Sequence, residues 1–179
     1  MKSTREIILD AVVEPSNERS ILKPYVMSHG TLECYSLKDS RRFYEEFLGL
    51  ECVRHARPAM AIRCGVKFHV VCVEVGENVH PVNVLNHWGI DLRSKEEVDE
   101  AYRNALKHKD TYKIRQVLQP SNQHGVYSLY LEDLDHNWWE IQYTEGFQND
   151  DLFDFGDRFS MADGAEVGTL KELDIKTSA

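Results

Sequence analysis

The sequence predicts an α+β fold made of two repeated units, each a strand, a helix and three further strands. Three observations carry that expectation: an internal repeat, a helix-start signal in each copy, and short strand-like runs after each helix. The repeat appears when the chain is laid on itself with a shift of 58 residues. His29 then falls on His87, Leu32 on Ile90, Glu33 on Asp91, Ser36 on Ser94, Asp39 on Glu97, Tyr44 on Tyr102 and Leu48 on Leu106. In each copy a serine followed three residues later by an acid (Ser36 and Asp39, Ser94 and Glu97) has the form of a capping box, in which hydroxyl and carboxylate satisfy amides that the first helical turn leaves unpaired. Helices are expected over 37–48, where Gly49 ends the first, and over 95–109. Strands are expected near 51–56, 59–64 and 67–75 after the first helix, and near 112–118, 125–132 and 138–144 after the second.

The flanks read differently. A polar lead over 1–24 and an acidic tail over 148–179, with the run Asp-Asp-Leu-Phe-Asp-Phe-Gly-Asp, are expected to be extensions to one domain at 25–147. Phe153, Phe155 and Phe159 give the tail apolar anchors suited to a partner subunit, so a homodimer is expected. At 179 residues, 42% apolar and 10% aromatic, the chain can build a real core. No stretch approaches the roughly 18 apolar residues of a membrane span, and the first twenty residues lack the apolar centre of a signal peptide, which points to a cytoplasmic protein with no membrane partner. A formal charge of −9, without clustered Lys and Arg, argues against nucleic acid as a partner. Cys34, Cys52, Cys64 and Cys72 lack paired metal-knuckle or redox spacing and read as reduced thiols in or beside strands.

Strand alternation assigns faces. If Leu32 and Cys34 pack under the first helix, then His29, Thr31 and Glu33 take the other face. Trp88, Ile90 and Leu92 set His87, Gly89 and Asp91 opposite, and Trp139, Ile141 and Tyr143 do the same for Trp138, Glu140 and Gln142. Three strands thus offer His29, His87 and Glu140 inward. An ionised glutamate between two imidazoles is costly to bury unless a cation neutralises it. Two histidines and one carboxylate also leave open coordination positions, a ligand set typical of non-haem ferrous oxygenases.

These stretches resemble the vicinal-oxygen-chelate superfamily, which includes glyoxalase I, fosfomycin-resistance proteins, extradiol dioxygenases and methylmalonyl-CoA epimerase. The likeness is carried by H-G-T-L-E-C-Y-S-L-K-D-S-R-R-F-Y-E-E-F-L-G-L at 29–50, N-H-W-G-I-D-L from Asn86, and D-L-D-H-N-W-W-E-I from Asp133. It implies an open half-barrel around a metal cavity, with the protein ligands on His29, His87 and Glu140. N-Q-H-G-V-Y-S-L-Y-L-E-D-L-D-H-N-W-W-E, from Asn122 to Glu140, is similar to the extradiol dioxygenase signature, and it sets His124, Leu129, Tyr130 and Asp133 in that signature's roles. The gap from His124 to Tyr130 is shorter than the signature's, and Leu134 and His136 stand where Pro and Gly are usual. His69, in F-H-V-V-C-V, matches either the dioxygenase active-site histidine or the strand position of a fourth ligand in glyoxalase I.

What the resemblance implies is ring cleavage of a catechol-type aromatic substrate by dioxygen at Fe(II). His69 would serve as acid/base beside the oxygen, and His124 or Tyr130 beside the substrate hydroxyls. A glyoxalase- or epimerase-like enzyme using Ni, Co, Zn or Mn is the first alternative. The second is a protein that binds an aromatic compound or an antibiotic by stacking on Trp88, Trp138 or Tyr130.

Overall fold

The computed structural model describes residues 21, 27–65, 68–123, 126–144, 158–159 and 168–169. The expected domain boundaries at 24/25 and 147/148 lie outside these residues, as do Phe153 and Phe155.

The first unit opens with β1 (His29–Cys34), whose Leu32 and Cys34 are buried as alternation requires. Helix α1 (Leu37–Arg42) continues into a wider turn, Phe43–Phe47, where Leu48 N donates to Phe43 O at 3.1 Å, before Gly49 ends the run at φ +70°. That turn drives Phe43 and Tyr44 fully into the core, with Tyr44 against Trp139 at 5.5 Å between ring centroids. Three strands follow: β2 (Glu51–Ala56), β3 (Ala59–Arg63) and β4 (His69–Glu74).

The second unit has β5 (His87–Asp91), α2 (Lys95–Lys107), a short α3 (Lys109–Tyr112), β6 (Gln116–Val117), β7 (Ser121–Gln123), β8 (Val126–Glu132) and β9 (Trp138–Thr144). The strand expected over 112–118 shrinks to Gln116–Val117, because Tyr112 completes α3 and Lys113 turns the chain at φ 55°. Strand β7 was not foreseen. Its Ser-Asn-Gln sequence has no apolar alternation, and only pairing with β8 makes it a strand.

The two units build two sheets. In the first the order is β1-β4-β3-β2, in the second β5-β9-β8-β6 with β7 also on β8. In each, the opening strand lies parallel to the last strand of its own unit (β1 on β4, β5 on β9), while the strands between run antiparallel. A separate two-stranded piece pairs β10 (Arg158–Phe159) with β11 (Gly168–Thr169). One core holds both units, from Leu32, Cys34 and Cys72 to Leu129, Leu131, Trp139 and Ile141. Cys34, Cys52 and Cys72 are buried free thiols and Cys64 is exposed.

The two capping signals end differently. Ser94 accepts from Glu97 N at 3.2 Å, as its pattern predicts, while the Glu97 carboxylate reaches one residue further back to Arg93 N at 2.8 Å. Ser36 makes no side-chain cap. Glu74, at the end of β4, instead accepts from Leu37 N at 2.8 Å, and Asp39 is drawn off to Lys113 at 3.1 Å. The parallel β1–β4 pairing brings Glu74 beside Cys34, within reach of the helix start.

Candidate metal centre

His29 and His69 open β1 and β4, and the parallel register sets them side by side. Neighbours in register share a face, and their rings stack with centroids 5.5 Å apart at 18°. Ser28 Oγ lies 2.8 Å from His29 Nδ1 on the exposed side.

On the second sheet, His87 Nδ1 lies 2.7 Å from the carbonyl oxygen of Val84. A carbonyl only accepts, so Nδ1 carries the proton and a neutral ring presents a bare lone pair at Nε2. That nitrogen sits 3.1 Å from Glu140 Oε2, on a side chain only 13% exposed. With the ring neutral, two acceptors face each other at hydrogen-bond distance; a proton on Nε2 makes the contact an ion pair, and a metal ion could be held by both groups. Glu140's other oxygen is already engaged: Tyr130, its cross-strand partner, donates to Oε1 at 2.7 Å. The His87 and Tyr130 rings meet edge-on at 5.1 Å.

The donor set fits a divalent cation. An imidazole whose far nitrogen is fixed by a backbone carbonyl and a carboxylate with one oxygen tied by a phenol are how ligating groups are held in metal sites. Tyr130 itself is pushed up to about 12, first by burial, then by its bond to Glu140 and that group's charge, with the nearby Ser128 hydroxyl working the other way. Its phenol is a standing hydrogen-bond donor at neutral pH.

The structure therefore brings together His87, Glu140 and Tyr130, and separately His29 and His69. Among the described residues, no three His, Cys, Asp or Glu side chains gather as a metal-binding group. His124 lies outside the described residues. Cavities of about 430 Å³, between α2, the Phe43–Phe47 turn and the second sheet, and about 270 Å³, beside Glu33 and Trp88, are lined by none of His29, His69, His87, Tyr130 or Glu140.

Asp133, which the sequence motif makes notable, is buried and acts as a structural hub. Its Oδ1 accepts from the backbone amides of Asp135 (2.8 Å) and Asn137 (2.9 Å), and its Oδ2 from Trp139 Nε1 (3.0 Å) and Tyr44 Oη (3.3 Å). Asp135 reaches across to the first unit, taking Tyr35 N at 2.8 Å and Ser40 Oγ at 2.6 Å. His136, standing where glycine is usual, adopts φ 67° and holds Glu132 through Nδ1 at 2.6 Å. The Asp-Leu-Asp-His-Asn turn thus ties β8 and β9 to β1 and α1, which steadies the strands that carry Tyr130 and Glu140. Sequence reasoning missed the Val84 carbonyl and the Ser128 hydroxyl, because a backbone acceptor and a lone serine carry no pattern.

No protein-family model matches the sequence, and no curated protein is similar to it by sequence. Solved structures do match. A hypothetical protein from S. aureus superposes with TM-score 0.53 at 21% identity, covering 67% of this chain and 94% of that one. A glyoxalase/bleomycin resistance protein/dioxygenase from Alicyclobacillus acidocaldarius gives 0.50 at 18% identity, over 78% and 99%. The genomically encoded fosfomycin resistance protein FosX from Listeria monocytogenes, solved with Mn(II) and sulfate, gives 0.51 at 18% identity, over 66% and 90%. Among the described residues no helix is long and apolar enough to cross a membrane. At these identities the likeness is one of architecture: the chain has a mixed α+β, two-sheet fold like that of these glyoxalase/bleomycin-resistance and fosfomycin-resistance proteins.

Proposed function

We propose that the protein is a metal-dependent enzyme that binds a small substrate through two adjacent oxygens, and that its reaction is extradiol ring cleavage of a catechol. The observation that supports the metal is the 3.1 Å approach of His87 Nε2 and Glu140 Oε2, two ligand-type groups whose far atoms are held by Val84 and Tyr130. His87 and Glu140 are two of the ligands and His29 the third, in an open half-barrel that a homodimer completes. A bound ferrous ion would supply a Lewis-acidic template for adjacent hydroxyls and a path for electrons to dioxygen.

The chain's own residues do the rest. Tyr130, held as a donor to Oε1, orients the Glu140 carboxylate. Gly89 leaves open room in front of Glu140, since a Cβ there would meet only Gln142 Nε2 at 3.7 Å. His69, on the face of His29, exchanges the proton that substrate deprotonation demands, with His124 as a second candidate. A second reading, a glyoxalase- or epimerase-like lyase or isomerase, is favoured by the Mn(II) in the structurally similar fosfomycin resistance protein and needs no dioxygen.

Anaerobic loading with Fe(II), followed by oxygen uptake against a panel of small catechols, tests the proposal. A yellow ring-opened product with stoichiometric oxygen consumption is expected. Tight binding of Ni, Co, Zn or Mn with no oxygen uptake selects the second reading, and loss of no metal on His87→Ala or Glu140→Ala defeats both.

A further inference from the structure

Strand β8 of the second sheet holds a buried polar atom that the proposed function does not use. Ser128 is 1% exposed, and its Oγ is buried with no hydrogen-bond partner among the described residues. A buried hydroxyl left unpaired carries a desolvation penalty comparable to a lost hydrogen bond, so its retention asks for a reason.

Strand β8 sets Ser128 two residues from Tyr130 and therefore on the same face, opposite Gln142 on β9 and Ser121 on β7. Gln142 turns its Nε2 away, to Asp91 Oδ1 at 2.9 Å. Tyr130 spends its only proton on Glu140 Oε1, which leaves the lone pairs of the phenol oxygen open to a donor. A serine hydroxyl has one proton to give, and a turn about the Cα–Cβ bond carries its oxygen toward a neighbour on the same face.

We infer that Ser128 is a positioning residue for Tyr130: its hydroxyl donates to the Tyr130 phenol oxygen, so the phenol proton stays on Glu140 Oε1 and Glu140 presents Oε2 alone toward His87. The chain then runs from Ser128 through Tyr130 and Glu140 to His87, with Val84 closing the far end at His87 Nδ1. Each bond in such a chain polarises the next, so the first donor sharpens a contact two residues away. This rests on the proposed metal pair at His87 and Glu140.

The test is a cycle of Ser128→Ala, Tyr130→Phe and the double variant, read by Mn(II) titration calorimetry on the full chain. Loss of an outer hydrogen-bond partner weakens metal binding by about 10-fold or more, so Ser128→Ala should lose about that much, and nothing further in the Tyr130→Phe background. An equal loss in both backgrounds means that the serine acts through packing, and no loss in either means that it does not act; both overturn the inference. A readout without metal separates its failure from that of the metal reading: the tyrosine Fermi doublet in ultraviolet resonance Raman difference spectra, wild type minus Tyr130→Phe. It should show a phenol that both donates and accepts, turning to donor only in Ser128→Ala. A doublet unchanged by Ser128→Ala overturns the assignment, whereas a wild type that binds no Mn(II) but shows the shift keeps it and defeats the metal pair.

Discussion

Gly30 sits next to His29 on β1, and Trp88 sits next to His87 on β5, so their contact sets the two histidine-bearing strands against each other. A Cβ added at Gly30 would lie 2.2 Å from Trp88 Cη2, 2.9 Å from Cζ3 and 3.3 Å from Cζ2. Ordinary contact begins at 3.4 Å, so Gly30→Ala forces a separation of more than an ångström. The indole cannot supply it by a terminal rotation, because it is a rigid ring that packs against the core and Phe68 at 6.3 Å. Overpacking of this kind costs about 1–3 kcal/mol. For a chain of this size that corresponds to a fall in Tm of about 2–4 °C per kcal/mol. Thermal and urea unfolding of Gly30→Ala, Trp88→Leu and the double variant measure the effect. The double variant should be more stable than the sum of the single losses predicts, since the clash disappears with the ring. Strict additivity, or a Gly30→Ala protein as stable as the wild type, would refute the steric argument.

Helix α1 should depend on Glu74 and not on its own serine: Glu74→Ala is expected to cost about 1 kcal/mol and Ser36→Ala much less, as measured by chemical denaturation. Burial, then the Asp135 charge, pushes the Asp133 carboxyl up to about 7, against an ordinary 3.8. Between about pH 4 and 7 the folded state holds a proton that the unfolded chain has released, so stability should fall as pH rises through that window and then level off. The slope between pH 4 and 7 should flatten in Asp133→Asn, and an unchanged slope in urea titrations across that range would assign it to other groups. His69→Gln, in the proposed acid/base role, should keep metal binding while losing about 10²–10⁴-fold in turnover; a matching loss of metal affinity in calorimetry would make it a ligand instead.

Local pattern was enough for much of the architecture. Helix-start signals and strand-like runs anticipate most of the elements, β7 excepted, and alternation correctly buries Leu32, Cys34, Trp139 and Ile141, because side-chain period and helix-start chemistry are properties of neighbouring residues. The ten-residue spacing of Tyr130 and Glu140 was also legible, and the β8–β9 register turns it into a 2.7 Å hydrogen bond. What only the tertiary structure decided are contacts between residues far apart in the chain. Parallel pairing of β1 with β4 stacks His29 on His69 and hands the helix cap to Glu74, thirty-seven residues from its amide. The Val84 carbonyl chooses the tautomer of His87, and the donors gathered on Asp133 make that residue a strut for the sheet. Such partners obey no period. They are set by which strands pair and in what register, which is decided when the whole chain closes over its core.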